Sequence, residues 1–313
     1  AILFSDILVV PHAMGQDLWF EEGEGPRLAP RLVDHALETL AAAPDRLDPV
    51  YETVRQVHAG LAAQTTFLGF AGSPWTVATY MIAGQGSREQ AEARRYAYRD
   101  PGAFQALVDA IIGVTVDYLS SQIKAGVDAV QLFDSWAGSL SPAQFERWVI
   151  APNATIVSQL KARHPDTPII GFPKGAGGKL PAYARETQVD ALGLDETVDP
   201  AWADASLPKS LPVQGNLDPL ALIAGITLRI RAIVSSWARA ESCDSSSRAR
   251  SPSRSRCDAT RRAARSLPSK RGVSPDQLWR RSVSTTRKSA SATPNGSLRS
   301  GCARSGCANA LAS

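Results

Sequence analysis

The sequence predicts an α/β fold, specifically a (β/α)8 barrel, from three observations. Short apolar runs alternate with longer segments of helical period, which is the pattern of repeated βαβ units. Almost every run ends in a polar or glycine-bearing cluster, and the carboxyl ends of parallel strands form the mouth of such a barrel. No run is followed by a convincing G-x-G-x-x-G turn, which disfavours the open doubly wound sheet, the competing arrangement.

Six strands are predicted, each from a short apolar run. In chain order they are AILFSDILVV (1–10), TTFLGFAG (65–72), DAVQLFDSW (128–136), TPIIGFPKG (167–175), VDALGLDET (189–197) and LPVQGNL (211–217).

Two segments between the strands have the apolar spacing of helices. One such face comprises Val50, Val54, Val57 and Leu61, and the other comprises Phe104, Leu107, Val108, Ile111, Ile112, Leu119 and Ile123. Asp100 and Ser141, each followed by proline, predict N-terminal caps, and Gly126 predicts a C-terminal end. Pro152 is expected to end or kink the helix that begins at Pro142.

Charge divides the 313 residues into two parts. Residues 1–225 contain 16 Lys and Arg against 26 Asp and Glu, a net charge of −10, whereas the remaining 88 carry 18 against 4, a net charge of +14. All four cysteines, Cys243, Cys257, Cys302 and Cys307, lie in the basic part. We therefore expect a reducing, cytoplasmic location, and no apolar run predicts a membrane span or a secretory leader.

Three residues are candidates for a site. Asp6 interrupts an otherwise buried strand, where an ionised carboxylate needs a partner or takes up a proton, although a strand-end Asp that caps a loop is the simpler explanation. Tyr80 offers a phenol and Ser135 a hydroxyl at a strand mouth, although a core Tyr and a turn Ser are common alternatives. The GQGS stretch, 84–87, is a weak candidate for an anion cradle.

No metal site is expected. The four histidines, His12, His35, His58 and His164, show no H-x-H or H-x-x-x-H spacing, and residues 1–225 contain no cysteine.

Six separated strings together resemble the uroporphyrinogen decarboxylase family. In order they are AILFSDILVVPHAMG, EGEGPRL, GFAGSPWTVATYMIAGQGS, AGVDAVQLFDSWAG, LGLDET and QGNLDP, and the resemblance spans residues 1 to about 224. It implies a homodimeric (β/α)8 barrel that converts uroporphyrinogen III to coproporphyrinogen III without a cofactor. It also implies that Asp6 faces the pyrrole nitrogens and stabilises the protonated ring, and that Tyr80 and Ser135 contact the substrate.

Two parts of the family pattern do not occur in this sequence. They are the arginine loop of the RQAGRY type and the strand bearing a GHG histidine, so the six predicted strands correspond to strands two to seven of an incomplete barrel. Without the arginine loop, we expect a body of charge −10 to bind a polyanionic substrate poorly.

Residues 225–313 are predicted to form a disordered Arg/Ser-rich tail. Its composition is typical of a GC-rich coding region translated out of frame, and a basic arm that binds nucleic acid is the alternative.

Two further hypotheses for the protein stay open beside the decarboxylase: a corrinoid-dependent methyltransferase of the same superfamily, and a non-catalytic protein that binds nucleic acid through this tail. We expect the tetrapyrrole as partner, and neither a membrane nor nucleic acid.

Overall fold

The computed structural model describes residues 1–87 and 89–224. The predicted tail, with the nucleic-acid hypothesis that depends on it, lies outside these residues. The helices are α1 Val9–Ala13, α2 Asp48–Gly60, α3 Pro74–Ala83, α4 Ala91–Arg99, α5 Pro101–Ala125, α6 Pro142–Phe145, α7 Ala151–Arg163, α8 Leu180–Thr187, α9 Pro200–Ser206 and α10 Pro219–Ile223. The strands are β1 Asp17–Glu21, β2 Gly25–Ala29, β3 Leu68–Gly72, β4 Ala129–Asp134, β5 Ile169–Pro173, β6 Ala191–Leu194 and β7 Val213–Gly215.

The main sheet is parallel and has its strands in the order β3-β4-β5-β6-β7, so each strand pairs with the next along the chain. A doubly wound sheet reverses this order at a switch point, whereas a (β/α)8 barrel keeps it. The predicted strand order of a (β/α)8 barrel is therefore confirmed over five strands. The alternative, an open doubly wound sheet, is not confirmed.

The prediction of a strand over residues 1–10 is wrong. Only Ile2 forms an isolated parallel bridge, with Leu68 of β3, and the chain turns before α1 begins at Val9. The cause is Asp6, whose Oδ1 accepts a hydrogen bond from the backbone N–H of Leu8 at 2.8 Å. A carboxylate that binds the amide two residues ahead closes a local turn, which ends strand pairing.

The sequence did not predict the hairpin of β1 and β2. The two strands pair antiparallel from Asp17 opposite Ala29 to Glu21 opposite Gly25. Gly23 and Gly25 supply the positive φ angles of the turn, which side chains with a Cβ rarely adopt. The turn is polar and glycine-rich, so the apolar runs that revealed the other strands are absent here.

Most of the helix signals are confirmed. The side chain of Asp100 accepts a hydrogen bond from Ala103 N at 2.9 Å, and Gly126 ends α5 with a φ of 122°. Ser141 occupies the cap position of α6, but its side chain makes no capping hydrogen bond. Pro152 follows a π-helical segment, Glu146–Ile150, which joins α6 to α7 and relieves the crowding that a proline ring causes one turn earlier.

The apolar helix α5 lies in the core. By length and composition it could cross a membrane, but half of its most apolar window is buried inside the protein. It packs against α2, α3, α7 and β3, and its buried residues include the apolar set predicted from the sequence apart from half-buried Ile123. Its composition is thus explained by core packing.

Candidate functional site

A cavity of about 230 Å³ opens where β3 and β4 end and the loop after Ile2 passes over them. This is the edge of the sheet at which (β/α)8 barrels place their sites. Its lining comprises Ile2, Phe4, Ser5, Asp6, Ile7, Phe70, Phe133 and Ser135. Two of the three predicted site residues, Asp6 and Ser135, therefore share one cavity although they are far apart in sequence.

Asp6 lies half-buried in this cavity. Burial raises the pKa of its carboxyl group, and the hydrogen bond from Leu8 N partly offsets that rise. Within the described ranges 1–87 and 89–224, Asp6 forms no ion pair. A partly desolvated carboxylate without a cation is suited to receive a positive charge from a ligand.

Tyr80 lies on α3, outside the cavity lining. Burial raises the pKa of its hydroxyl, the Trp136 indole lowers it, and the charge of Asp6 raises it further. The indole Nε1 faces this hydroxyl without closing a hydrogen bond of normal geometry to any described residue. Tyr80 is thus linked electrostatically to Asp6 without lining the cavity.

The GQGS stretch supports Tyr80. Gly84 ends α3 with a φ of 74°, and Ser87 Oγ accepts a hydrogen bond from Gln90 N at 3.0 Å. A Cβ on Gly86 would lie 3.1 Å from the Tyr80 hydroxyl oxygen, so the glycine lets the loop approach the ring. Gln85 forms an isolated antiparallel bridge with Arg27 of β2, so this stretch packs beside the hairpin rather than forming the simple turn that was the alternative explanation.

Three phenylalanines, Phe4, Phe70 and Phe133, form an aromatic wall in the cavity, and Phe172 packs against this wall from outside the lining. The Phe133 ring meets Phe70 and Phe172 edge-on, with centroids 5.6 Å and 5.7 Å apart, and Phe4 lies 6.4 Å from Phe70. Edge-to-face pairs of this kind hold rings in fixed relative positions. The sequence reasoning missed this wall, although its signal was present: one phenylalanine lies near the carboxyl end of each of β3, β4 and β5.

Asp134 immediately precedes Ser135 and is completely buried. Burial raises the pKa of its carboxyl group to about 7, against the opposing effect of the neighbouring Thr76 and Asn153 side chains. Thr76 Oγ1 donates to Asp134 Oδ1 at 2.6 Å, while Oδ2 has no hydrogen-bond partner among the described residues. Asp134 belongs to the FDSWAG motif, but the sequence did not predict a role for it, because its burial depends on α3.

Asp195, at the end of β6, holds two neighbouring loops together. Burial alone would raise its pKa, but hydrogen bonds from Thr197 and Gly175 and the charge of Lys174 hold that pKa below its ordinary value. Gly175 N donates to Asp195 Oδ2 at 2.7 Å, and Thr197 N donates to Oδ1 at 2.9 Å. Asp195 therefore fixes the loop after β5 beside the loop after β6.

No group of three His, Cys, Asp or Glu side chains lies close enough to hold a metal ion in the described part of the chain. The side chains of this cavity that could act on a ligand are the carboxylate of Asp6, the hydroxyls of Ser5 and Ser135 and the aromatic wall.

Sequentially ordered parallel strands, with a polar and aromatic cavity at their carboxyl ends, place the chain in the class of (β/α)8-barrel proteins. The family model described as uroporphyrinogen decarboxylase (URO-D) matches residues 1–247. The chain belongs to the uroporphyrinogen decarboxylase family.

Curated relatives named uroporphyrinogen decarboxylase agree with this assignment. The protein from Sphingopyxis alaskensis is 77% identical over 225 residues, which cover 72% of this chain and 66% of the relative. The protein from Rhizorhabdus wittichii is 75% identical over 225 residues, which cover 72% of this chain and 65% of the relative. The chain thus spans slightly less than two thirds of the length of these relatives.

A solved structure has a similar fold. A methyltransferase from Methanosarcina mazei superposes with a TM-score of 0.59 at 16% identity, covering 69% of this chain and 64% of its own. At this identity the likeness concerns the fold alone. The methyltransferase alternative considered from the sequence gains no support from it.

Proposed function

We propose that this chain decarboxylates the acetate side chains of uroporphyrinogen III to give coproporphyrinogen III. The observation that carries the proposal is that Asp6 and Ser135 line one aromatic cavity at the carboxyl ends of β3 and β4. A cavity with a carboxylate, a hydroxyl and phenylalanine rings suits a ligand that combines an apolar ring system with N–H groups.

The chemistry needs an electron sink, and the substrate supplies it. A proton adds to the pyrrole carbon beside an acetate arm, and the ring becomes cationic. The bond to the carboxylate then breaks, carbon dioxide leaves, and its electron pair passes into the ring. A second proton converts the exocyclic methylene to a methyl group while the ring carbon loses the first proton, so each arm consumes one proton and releases one carbon dioxide.

Asp6 supplies the charge that the cationic ring requires. Its carboxylate is half-buried and forms no ion pair within the described residues, so it has no competing cation to displace. Attraction between opposite charges strengthens where water is excluded, and the growing positive charge favours the ionised form of Asp6. We assign Ser135 to substrate contact at the cavity wall. Tyr80, the other contact that the family resemblance implies, lies outside the lining, so we assign it an influence on the site through its electrostatic link to Asp6.

Two further features belong to this proposal. The family resemblance implies a homodimer and a cytoplasmic location, and we carry both to this chain. Neither nucleic acid nor a membrane is proposed as a partner.

The test is turnover of uroporphyrinogen III by the full chain, prepared under reducing, oxygen-free conditions and followed by chromatography of the oxidised porphyrins. We expect the chain to release coproporphyrinogen with a high KM, because its negatively charged body binds the polyanionic substrate poorly. We expect Asp6→Asn to lower kcat by at least about hundredfold without unfolding the protein. Asp17→Asn, an exposed carboxylate on β1, is the matched control and should leave kcat unchanged. Near-normal turnover by Asp6→Asn, or no product from the unsubstituted chain, would contradict the proposal.

A further inference from the structure

The buried carboxyl group of Asp134 has no role in the chemistry proposed above. It is completely buried at the end of β4, and no cation pairs with it in residues 1–87 and 89–224. Placing a carboxyl group in such a position costs free energy that a hydrophobic residue would avoid. Its hydrogen bonds indicate what the group does.

The hydroxyl of Thr76 joins Asp134 to the backbone beyond Ser135. Thr76 Oγ1 donates to Asp134 Oδ1 at 2.6 Å and accepts a hydrogen bond from the backbone N–H of Trp136 at 3.1 Å. Because a hydroxyl has one proton, donation to Asp134 leaves its lone pairs free to accept from Trp136. By accepting the hydroxyl proton, the Asp134 carboxyl group orients Thr76 Oγ1 so that its lone pairs face the backbone N–H of Trp136.

A second residue of α3 binds the backbone carbonyl group of Trp136. The Trp75 indole Nε1 donates to the Trp136 carbonyl oxygen at 3.1 Å, and Ser139 Oγ donates to the same oxygen at 2.7 Å. Both polar groups of the Trp136 backbone are therefore bound. Ser135, which lines the cavity, lies between the Asp134 side chain and this fixed peptide.

We propose that Asp134 and Thr76 are positioning residues, which act as a buried tether that fixes Ser135 at the cavity wall and Trp136 beside Tyr80. Neither residue touches the ligand, and both act through the loop that follows β4. The effect on turnover rests on the proposed function, whereas the tether itself does not.

Hydrogen exchange tests the tether directly. Thr76→Val removes the hydroxyl with little change of shape, so the Trp136 amide loses its acceptor, and we expect its exchange to accelerate about tenfold. Thr76→Ser keeps the hydroxyl and should restore the exchange rate of the unsubstituted chain. Unchanged protection of the Trp136 amide in Thr76→Val would overturn the proposal.

The chain offers a matched control for this substitution. Thr115 is also completely buried, and its Oγ1 has no hydrogen-bond partner among the described residues. It lies on α5, away from the cavity. Thr115→Val therefore repeats the chemical change without touching the tether, and Trp136 exchange should stay at its original rate.

A double-substitution cycle separates positioning from general destabilisation. If Thr76 acts through Ser135, Thr76→Val combined with Ser135→Ala should lower kcat/KM for uroporphyrinogen III no further than Ser135→Ala alone. Fully additive losses would overturn the positioning role. If the unsubstituted chain shows no turnover, the proposed function fails, and the exchange rates of the Trp136 amide still decide whether the tether exists.

Discussion

The Ser5 Oγ and the Tyr118 hydroxyl oxygen lie 3.1 Å apart, which joins the loop that carries Asp6 to α5. Tyr118 is buried, and burial raises the pKa of its hydroxyl to about 12. The loop forms no regular strand with β3, so this side-chain contact supplies support that a complete strand would have given.

Removal of the Tyr118 hydroxyl should loosen the Asp6 loop. We expect Tyr118→Phe to lower the free energy of unfolding by about 1 kcal/mol, because the packed ring remains and one hydrogen bond is lost. Urea denaturation measures this change. Faster amide exchange at Leu8 should accompany it, since Leu8 N donates to Asp6 within the same loop. An unaltered exchange rate at Leu8 would contradict the supporting role of Tyr118.

The aromatic wall should depend on Phe133, whose ring contacts both Phe70 and Phe172. Phe133→Leu removes two edge-to-face contacts, so we expect a loss of about 1–2 kcal/mol in the free energy of unfolding. KM for uroporphyrinogen III should also rise more than kcat falls, because the ring lines the cavity. Phe20→Leu, at a position 62% exposed, is the control and should change neither quantity.

Asp134 should make the protein less stable as the pH rises. Its pKa is raised from 3.8 to about 7, so between these values the unfolded chain is ionised while the folded protein still holds the proton. Folding then takes up a proton. The free energy of folding therefore becomes less favourable, by up to about 4 kcal/mol, as the pH rises through this range.

Asp134→Asn removes this titration while keeping an oxygen that can accept from Thr76. Relative to the unsubstituted chain, the variant should therefore gain stability as the pH increases from 4 to 7, as measured by urea denaturation across that range. A constant difference between Asp134→Asn and the unsubstituted chain would show that the Asp134 carboxyl does not titrate in this range.

Gly138 should tolerate no side chain. A Cβ there would lie 2.8 Å from the carbonyl oxygen of Gly175, and Gly138 N already donates to Lys174 O at 2.9 Å. Because backbone cannot move aside as a flexible side chain can, we expect Gly138→Ala to destabilise by about 1–3 kcal/mol. Gly113→Ala, in the middle of α5 with open space around it, should instead stabilise by about 0.5–1 kcal/mol. The midpoint temperatures of thermal denaturation should therefore shift in opposite directions, down for Gly138→Ala and up for Gly113→Ala.

The sequence predicted the elements whose signals are local. Strands β4, β5 and β6 are apolar runs that each lie between two neighbouring strands, so composition alone reveals them, and the edge strands β3 and β7 were predicted from apolar runs of the same kind. The first predicted strand failed because one carboxylate, Asp6, captured the Leu8 amide and turned the chain. Asp134 could not be recognised as a buried group, because its partner Thr76 lies 58 residues earlier and only the fold brings the two together.

The strand order has a consequence for how the site is assembled during synthesis. Each strand of the main sheet pairs with the strand made immediately before it, so a nascent chain can add strands one at a time to an existing template. Among the residues that the structure describes, those that line the cavity lie between Ile2 and Ser135. The pocket walls therefore leave the ribosome before β5 does, and the later strands brace a cavity whose lining is already present.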